Sequence, residues 1–145
     1  MNDVEANQIS RYASIIKRSA FVELKRQLDL EGLTAANVNL LLFIKDEKRI
    51  TARTIASGLV LSKAAVSREL NRLLKKGYIQ KEPDQKDRRN SWLTVTDKGE
   101  QVCRKINKLM AAWWRSKFKR AGIKRPQVMY HELDKLVTAI LEKTV

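Results

Sequence analysis

From Ile50 to Gly99 the spacing of the apolar residues changes from helical to alternating and back to helical, and this double switch constrains the fold more than any other feature of the 145-residue chain. Within Ile50–Lys76 (ITARTIASGLVLSKAAVSRELNRLLKK), Ile55, Leu59, Val66, Leu70 and Leu73 supply the apolar positions that lock two short helices together. Ala56 is small where the second helix crosses, and Ser62 suits the N-cap of that helix because its hydroxyl satisfies a free backbone N–H. Two short strands follow, Tyr78–Glu82 and Trp92–Val95, the latter with Leu93 and Val95 on one face and Trp92 and Thr94 on the other. Between them lies the polar loop Pro83–Asn90 (PDQKDRRN).

The helix pair has the spacing of a helix-turn-helix. Taken alone it is also what a surface helical hairpin with a solvated basic face shows. A two-strand hairpin with a basic loop directly after it is the outline of a wing, and the combination favours duplex DNA. Ser62, Lys63, Ala64, Ala65, Ser67, Arg68, Asn71 and Arg72 form the start and the outward face of the second helix. Short side chains at its start allow close approach to base edges, and Arg or Asn further along reaches guanine or adenine.

Four more helices with apolar stripes flank this unit. Ile9, Tyr12, Ile16, Ala20, Leu24 and Leu28 recur three or four apart on a long first helix that Gly32 is expected to stop, and Thr34 caps a second running through Val38, Leu41 and Ile44. Val102, Ile106, Leu109, Met110, Trp113 and Phe118 stripe the next helix, entered near Gly99. Met129, Leu133, Leu136, Val137 and Ile140 stripe the last, with Pro126 in its first turn. A winged core of about fifty residues is too small to cover all these faces. The economical arrangement is a two-fold homodimer, with two recognition helices meeting half-sites about one helical turn apart. The fold class expected is mainly α with a small β-hairpin wing: a dimerisation helix over 1–32, a DNA-binding unit over 33–98, and helices completing the dimer region over 99–145.

Charge agrees in sign and in place. The net charge is +14; residues 1–44 are balanced, and 45–98 and 99–145 each carry an excess of seven positive charges. Such a balance attracts polyanions and says nothing about fold. From Arg104 to Arg125 nine basic residues occur with no acidic one, and Arg104, Lys108, Arg115 and Lys119 fall near one helical face. This is either a solvated outer face or a second contact for DNA flanks or an anionic partner.

No apolar run reaches 18 residues and the N-terminus lacks a basic and apolar leader pattern, so a cytoplasmic protein without a membrane partner is expected. One cysteine and one histidine assemble neither a catalytic triad nor a metal site, and no glycine-rich phosphate loop appears. An enzyme, a cofactor and a bound metal are therefore not expected. Cys103 beside an apolar stripe reads as inert core more readily than as a redox sensor, although Arg104 and Lys105 would lower its pKa were it exposed.

The run Leu73–Gly99 (LLKKGYIQKEPDQKDRRNSWLTVTDKG) resembles the MarR (multiple antibiotic resistance regulator) family. Leu73, Gly77, Ile79, Asp87, Arg88, Arg89, Val95, Thr96 and Gly99 match its pattern in order and spacing, and Leu33-Thr34 resembles the family's start to its second helix. Val95 stands where leucine is commoner, and Glu69 occupies a recognition-helix position that is often aliphatic, which bears on the base-contacting residues rather than on the fold. The resemblance implies a dimeric, sequence-specific transcriptional regulator, more often a repressor than an activator. It implies that Asp87 holds the wing by pairing with a nearby basic group, that Arg89 enters the minor groove, and that Lys86 and Arg88 meet phosphates. It also implies a small aromatic or phenolic effector, for which Tyr12, Ile16, Trp92, Trp113 and Trp114 are the candidate lining residues. The competing reading is an architectural, nucleoid-type protein of low sequence preference. Charge alone supports it; the fitted recognition helix and wing argue against it.

Overall fold

The computed structural model describes residues 1–30 and 32–142. Its helices are α1 (Asp3–Gln27), α2 (Ala35–Glu47), α3 (Ala52–Leu59), α4 (Lys63–Lys75), α5 (Asp97–Arg120) and α6 (Pro126–Glu142), with β1 (Ile79–Pro83) and β2 (Ser91–Val95) between α4 and α5. The fold is the mainly helical one expected, with a two-strand antiparallel wing.

Caps set the helix boundaries. The Thr34 hydroxyl accepts the Asn37 N–H at 3.3 Å while Asn37 Oδ1 accepts the Thr34 N–H at 3.0 Å, which satisfies two otherwise free donors at the start of α2. Thr51 and Ser62 cap α3 and α4 through Thr54 N–H and Ala65 N–H. At the end of α4, Gly77 takes φ +75°, and the Tyr78 N–H returns to the Leu73 carbonyl at 3.1 Å. Tyr78 thereby belongs to the helix exit, and β1 begins at Ile79, one residue later than the sequence suggests. Similarly α1 ends at Gln27, with the Leu28 N–H closing onto the Leu24 carbonyl; Gly32, at φ +79°, turns the connection to α2 instead of stopping the helix.

β1 and β2 pair from Ile79↔Val95 to Pro83↔Ser91, and Ile50 adds a short bridge to Leu93 on the other side of β2. This bridge ties the wing to the entry of α3. One apolar core unites the elements: Leu40, Leu41 and Ile44 of α2, Ile55 of α3, Val66 and Leu73 of α4, Ile79 and Leu93 of the wing, and Cys103 and Ile106 of α5. Of α1, Leu24 is buried.

Two faces stay outside this core. On α1, Val4, Ile9, Tyr12 and Ile15 are exposed. On α6 no described residue is buried, and Leu133, Leu136, Val137 and Ile140 are each about half exposed. Among the described residues no helix is long and apolar enough to cross a membrane.

Candidate nucleic-acid interface

The outward face of α4 is as the helical phase requires. Ser62, Lys63, Ala64, Ser67, Arg68, Asn71 and Arg72 are exposed and Ala65 is partly covered, while Val66, Leu70 and Leu73 point into the core. Ser62 fixes the start of the helix, since its hydroxyl accepts the Ala65 N–H at 3.1 Å. Glu69 is buried on the inward side, so the helix does not slip in phase at that residue. Its carboxylate accepts bonds from the Asn37 amide of α2 and from the Arg68 and Arg72 guanidinia.

A groove of about 650 Å³ runs between α3, α4 and the wing. Lys63, Ser67 and Asn71 line it from α4, Arg53 from α3, and Lys81, Arg89 and Asn90 from the wing. Helix α4 and the wing arginine thus border one concave surface that carries Arg53, Lys63, Lys81 and Arg89. Arg53 and Lys81 were not singled out from the sequence. The signal available was a lone basic residue on the exposed side of the first short helix and another on an outward strand position.

The wing tip is built from two local side-chain bonds. Asp84 Oδ1 accepts the Lys86 N–H at 2.9 Å, and Asp87 Oδ1 accepts the Arg89 N–H at 3.0 Å, both turns in which a short acidic side chain bonds the backbone two residues on. The Asn90 amide adds a 3.5 Å bond to Asp87 Oδ2. This corrects the expectation that Asp87 pairs with a basic group: backbone closure is the shorter route, and it leaves the side chains of Lys86, Arg88 and Arg89 exposed.

The residues considered for an effector pocket do not converge in the described structure. Trp92 lies under the Arg49 guanidinium, 4.1 Å from ring centroid to Cζ, one residue along each segment from the Ile50–Leu93 bridge. Trp113 and Trp114 meet edge to face at 5.1 Å, and Trp114 stacks on Phe118. Trp114 lines a shallow apolar groove of about 410 Å³ with Phe118, Met129, Tyr130 and Leu133, whereas Tyr12 is exposed on α1 and Ile16 is partly buried. Helical spacing placed Tyr12 and Ile16 on the stripe of α1 and Trp113 on that of α5, whereas Trp92 lies on β2.

Cys103 is fully buried, and burial pushes its thiol up to about 11. His131 rests against Tyr130, and no cluster of His, Cys, Asp or Glu suited to a metal occurs among the described residues. The basic residues of α5 from Arg104 to Arg120 are exposed.

Fold and site together define a winged helix-turn-helix protein. Residues 31–90 match the MarR family. Over 102 residues the chain is 26% identical to the HTH-type transcriptional regulator BilQ of Clostridium symbiosum, spanning 70% of this chain and 71% of that one. A crystal structure of MarR is 29% identical, with a TM-score of 0.77 over 92% of this chain and 98% of its own. A mutant MarR from E. coli complexed with operator DNA superimposes with a TM-score of 0.72 at 21% identity, over 91% and 95% of the two chains. The match over residues 31–90 and the shared fold make the chain similar to the MarR family of helix-turn-helix transcriptional regulators.

Proposed function

We propose that the protein binds a pseudo-palindromic operator in double-stranded DNA as a homodimer and represses transcription by occupying it, in the cytoplasm. Residues 33–98 form the DNA-binding unit; residues 1–32 and 99–145 supply the dimer contacts. In this reading α4 enters the major groove and the wing loop meets the adjacent minor groove. The observation that carries it is the shared groove in which Lys63, Ser67 and Asn71 of α4 face Arg89 of the wing. Exposed Lys86 and Arg88 extend the same cationic surface to where phosphates would flank it, and exposed Arg68 and Arg72 stand on α4 where base edges would come within reach.

The dimer is supported by the uncovered apolar faces. α6 carries Val128, Leu133, Leu136, Val137 and Ile140 at 46–51% exposure, and the N-terminal half of α1 adds Val4, Ile9, Tyr12 and Ile15. Apolar patches of this extent mark interaction surfaces, and a second copy offers the same patch in return.

The test is selection of bound fragments from random duplexes, followed by titration of the selected site and of a scrambled duplex at several salt concentrations. A pseudo-palindrome preferred by about 10³-fold or more supports the reading. Equal affinity for both duplexes means the architectural alternative. Adding phenolic ligands to the same titrations tests whether an aromatic effector releases the DNA.

A further inference from the structure

Glu69 is the one acidic residue of α4, and its side chain is only 7% exposed. An isolated buried carboxylate is costly, so its partners define its purpose. Oε2 accepts the Asn37 amide of α2, while Oε1 accepts Arg68 Nε at 3.3 Å and Arg72 Nη1 at 3.5 Å. Asn37 is itself fixed, because its Oδ1 accepts both the N–H and the hydroxyl of Thr34, each at 3.0 Å. The chain of bonds therefore runs from the N-cap of α2 through Asn37 and Glu69 to the guanidinia of Arg68 and Arg72, whose side chains are 60% and 53% exposed on the outward side of α4.

We propose that Glu69 is a positioning residue that sets the sequence specificity of DNA recognition. It does so by holding Arg68 and Arg72 to the core at their inner edge and by offsetting their charge. The inference rests on the reading of α4 as the recognition helix. Two physical effects act in the same direction. An arginine already held in one geometry loses less rotamer freedom when it meets a base edge, where geometry decides affinity. Nonspecific binding depends on the number of cations presented to phosphate, and a carboxylate beside two of them reduces that attraction on every sequence alike. An apolar side chain at position 69 keeps the core filled but frees both arginines; a glutamine keeps the shape and the Asn37 contact but removes the charge.

The experiment compares the intact wild-type protein with Glu69→Gln and Glu69→Leu. Affinities for the selected duplex and a scrambled duplex of equal length are measured at matched salt, after urea unfolding has shown which variants are folded. In the free proteins, ¹⁵N relaxation of the arginine Nε–H groups is recorded, with Arg68→Lys and Arg72→Lys assigning the two signals. Expected are tighter binding of the scrambled duplex by both variants, a specificity ratio lowered about tenfold, and loss of order at the Arg68 and Arg72 signals in Glu69→Leu. Should Glu69→Leu fail to fold, Glu69→Gln carries the comparison. A folded variant that discriminates within twofold of wild type overturns the proposal. A wild-type protein that does not discriminate at all overturns the operator reading instead, a different and separately visible result.

Discussion

Gly99→Ala opposes two physical effects of opposite sign at one atom. Gly99 lies in the first turn of α5, where helix propensity alone favours alanine by up to about 1 kcal/mol. A Cβ at this position, however, sits 2.1 Å from the Tyr78 carbonyl oxygen and 2.5 Å from Val95 Cγ1. Ordinary carbon–oxygen contacts lie near about 3.3 Å, so α5 and the strand start must separate by roughly 1 Å. The carbonyl is not free to retreat, because it accepts the Thr96 N–H at 3.0 Å. Thr96 is held in turn by its hydroxyl, which donates to the Gly77 carbonyl at 2.6 Å and accepts the Gly99 N–H at 3.2 Å. Overpacking costs about 1–3 kcal/mol and partial loss of the cap about 1 kcal/mol more. After the propensity gain is subtracted, Gly99→Ala is expected to destabilise by about 2 kcal/mol. The assay is urea unfolding at fixed protein concentration, with Gln101→Ala on the exposed side of the same helix as the propensity control. A Gly99→Ala protein as stable as wild type, or more stable, refutes the close-approach argument.

Val60 ends α3 with φ +53° and ψ +50°, a left-handed conformation that costs a β-branched residue about 1–2 kcal/mol, and its side chain is 59% exposed. Val60→Gly should therefore raise stability by about 0.5–1 kcal/mol after glycine's greater unfolded entropy is deducted; a fall in the urea midpoint contradicts this. Arg89→Ala should weaken operator binding by about 1–3 kcal/mol with the fold intact, and unchanged affinity at matched salt argues against the wing assignment. Cys103 should resist iodoacetamide in the folded state at neutral pH, because its thiol is buried and neutral. Its ordinary value of 9.0 is raised to about 11, so this group's contribution to stability is full below pH 9 and is lost as pH rises through about 11. Rapid native labelling at neutral pH contradicts that placement. Leu136→Glu with Val137→Glu should shift the protein to monomer by light scattering, as both side chains are half exposed in the uncovered face of α6.

The elements most legible in the sequence are those fixed by local chemistry. Thr34 and Ser62 cap α2 and α4 as their positions before an apolar period suggest, while the caps Thr51 and Thr96 of α3 and α5 emerge only in the structure. The outward list of α4 was readable because Val66, Leu70 and Leu73 fix its phase. The aromatic residues were less legible for the opposite reason. The pattern of a helix or strand states which face is covered, not by what: Trp92 of β2 packs under Arg49, and Trp114 of α5 against Phe118. The Asp87 contact is a middle case, since its acceptor role was readable while its partner, the Arg89 amide two residues on, competes locally with any long basic side chain.

Glu69 shows where pattern reading meets its physical limit. At an inward position between Arg68 and Leu70, its charge conflicts with the burial that the helical period assigns to it. Arg68 and Arg72 satisfy Oε1 from within α4, but Oε2 is satisfied by a partner 32 residues away, and nothing in the spacing of α4 names Asn37. A buried ion pair or carboxylate network is weak evidence of added stability, since an apolar side chain of similar volume often serves as well. What an apolar side chain does not supply is the bond to each guanidinium on the helix surface. In the proposed reading, the cost of burying Glu69 is set against its hold on Arg68 and Arg72 at the proposed interface. That is why its replacement is expected to change discrimination between duplexes more than the stability of the fold.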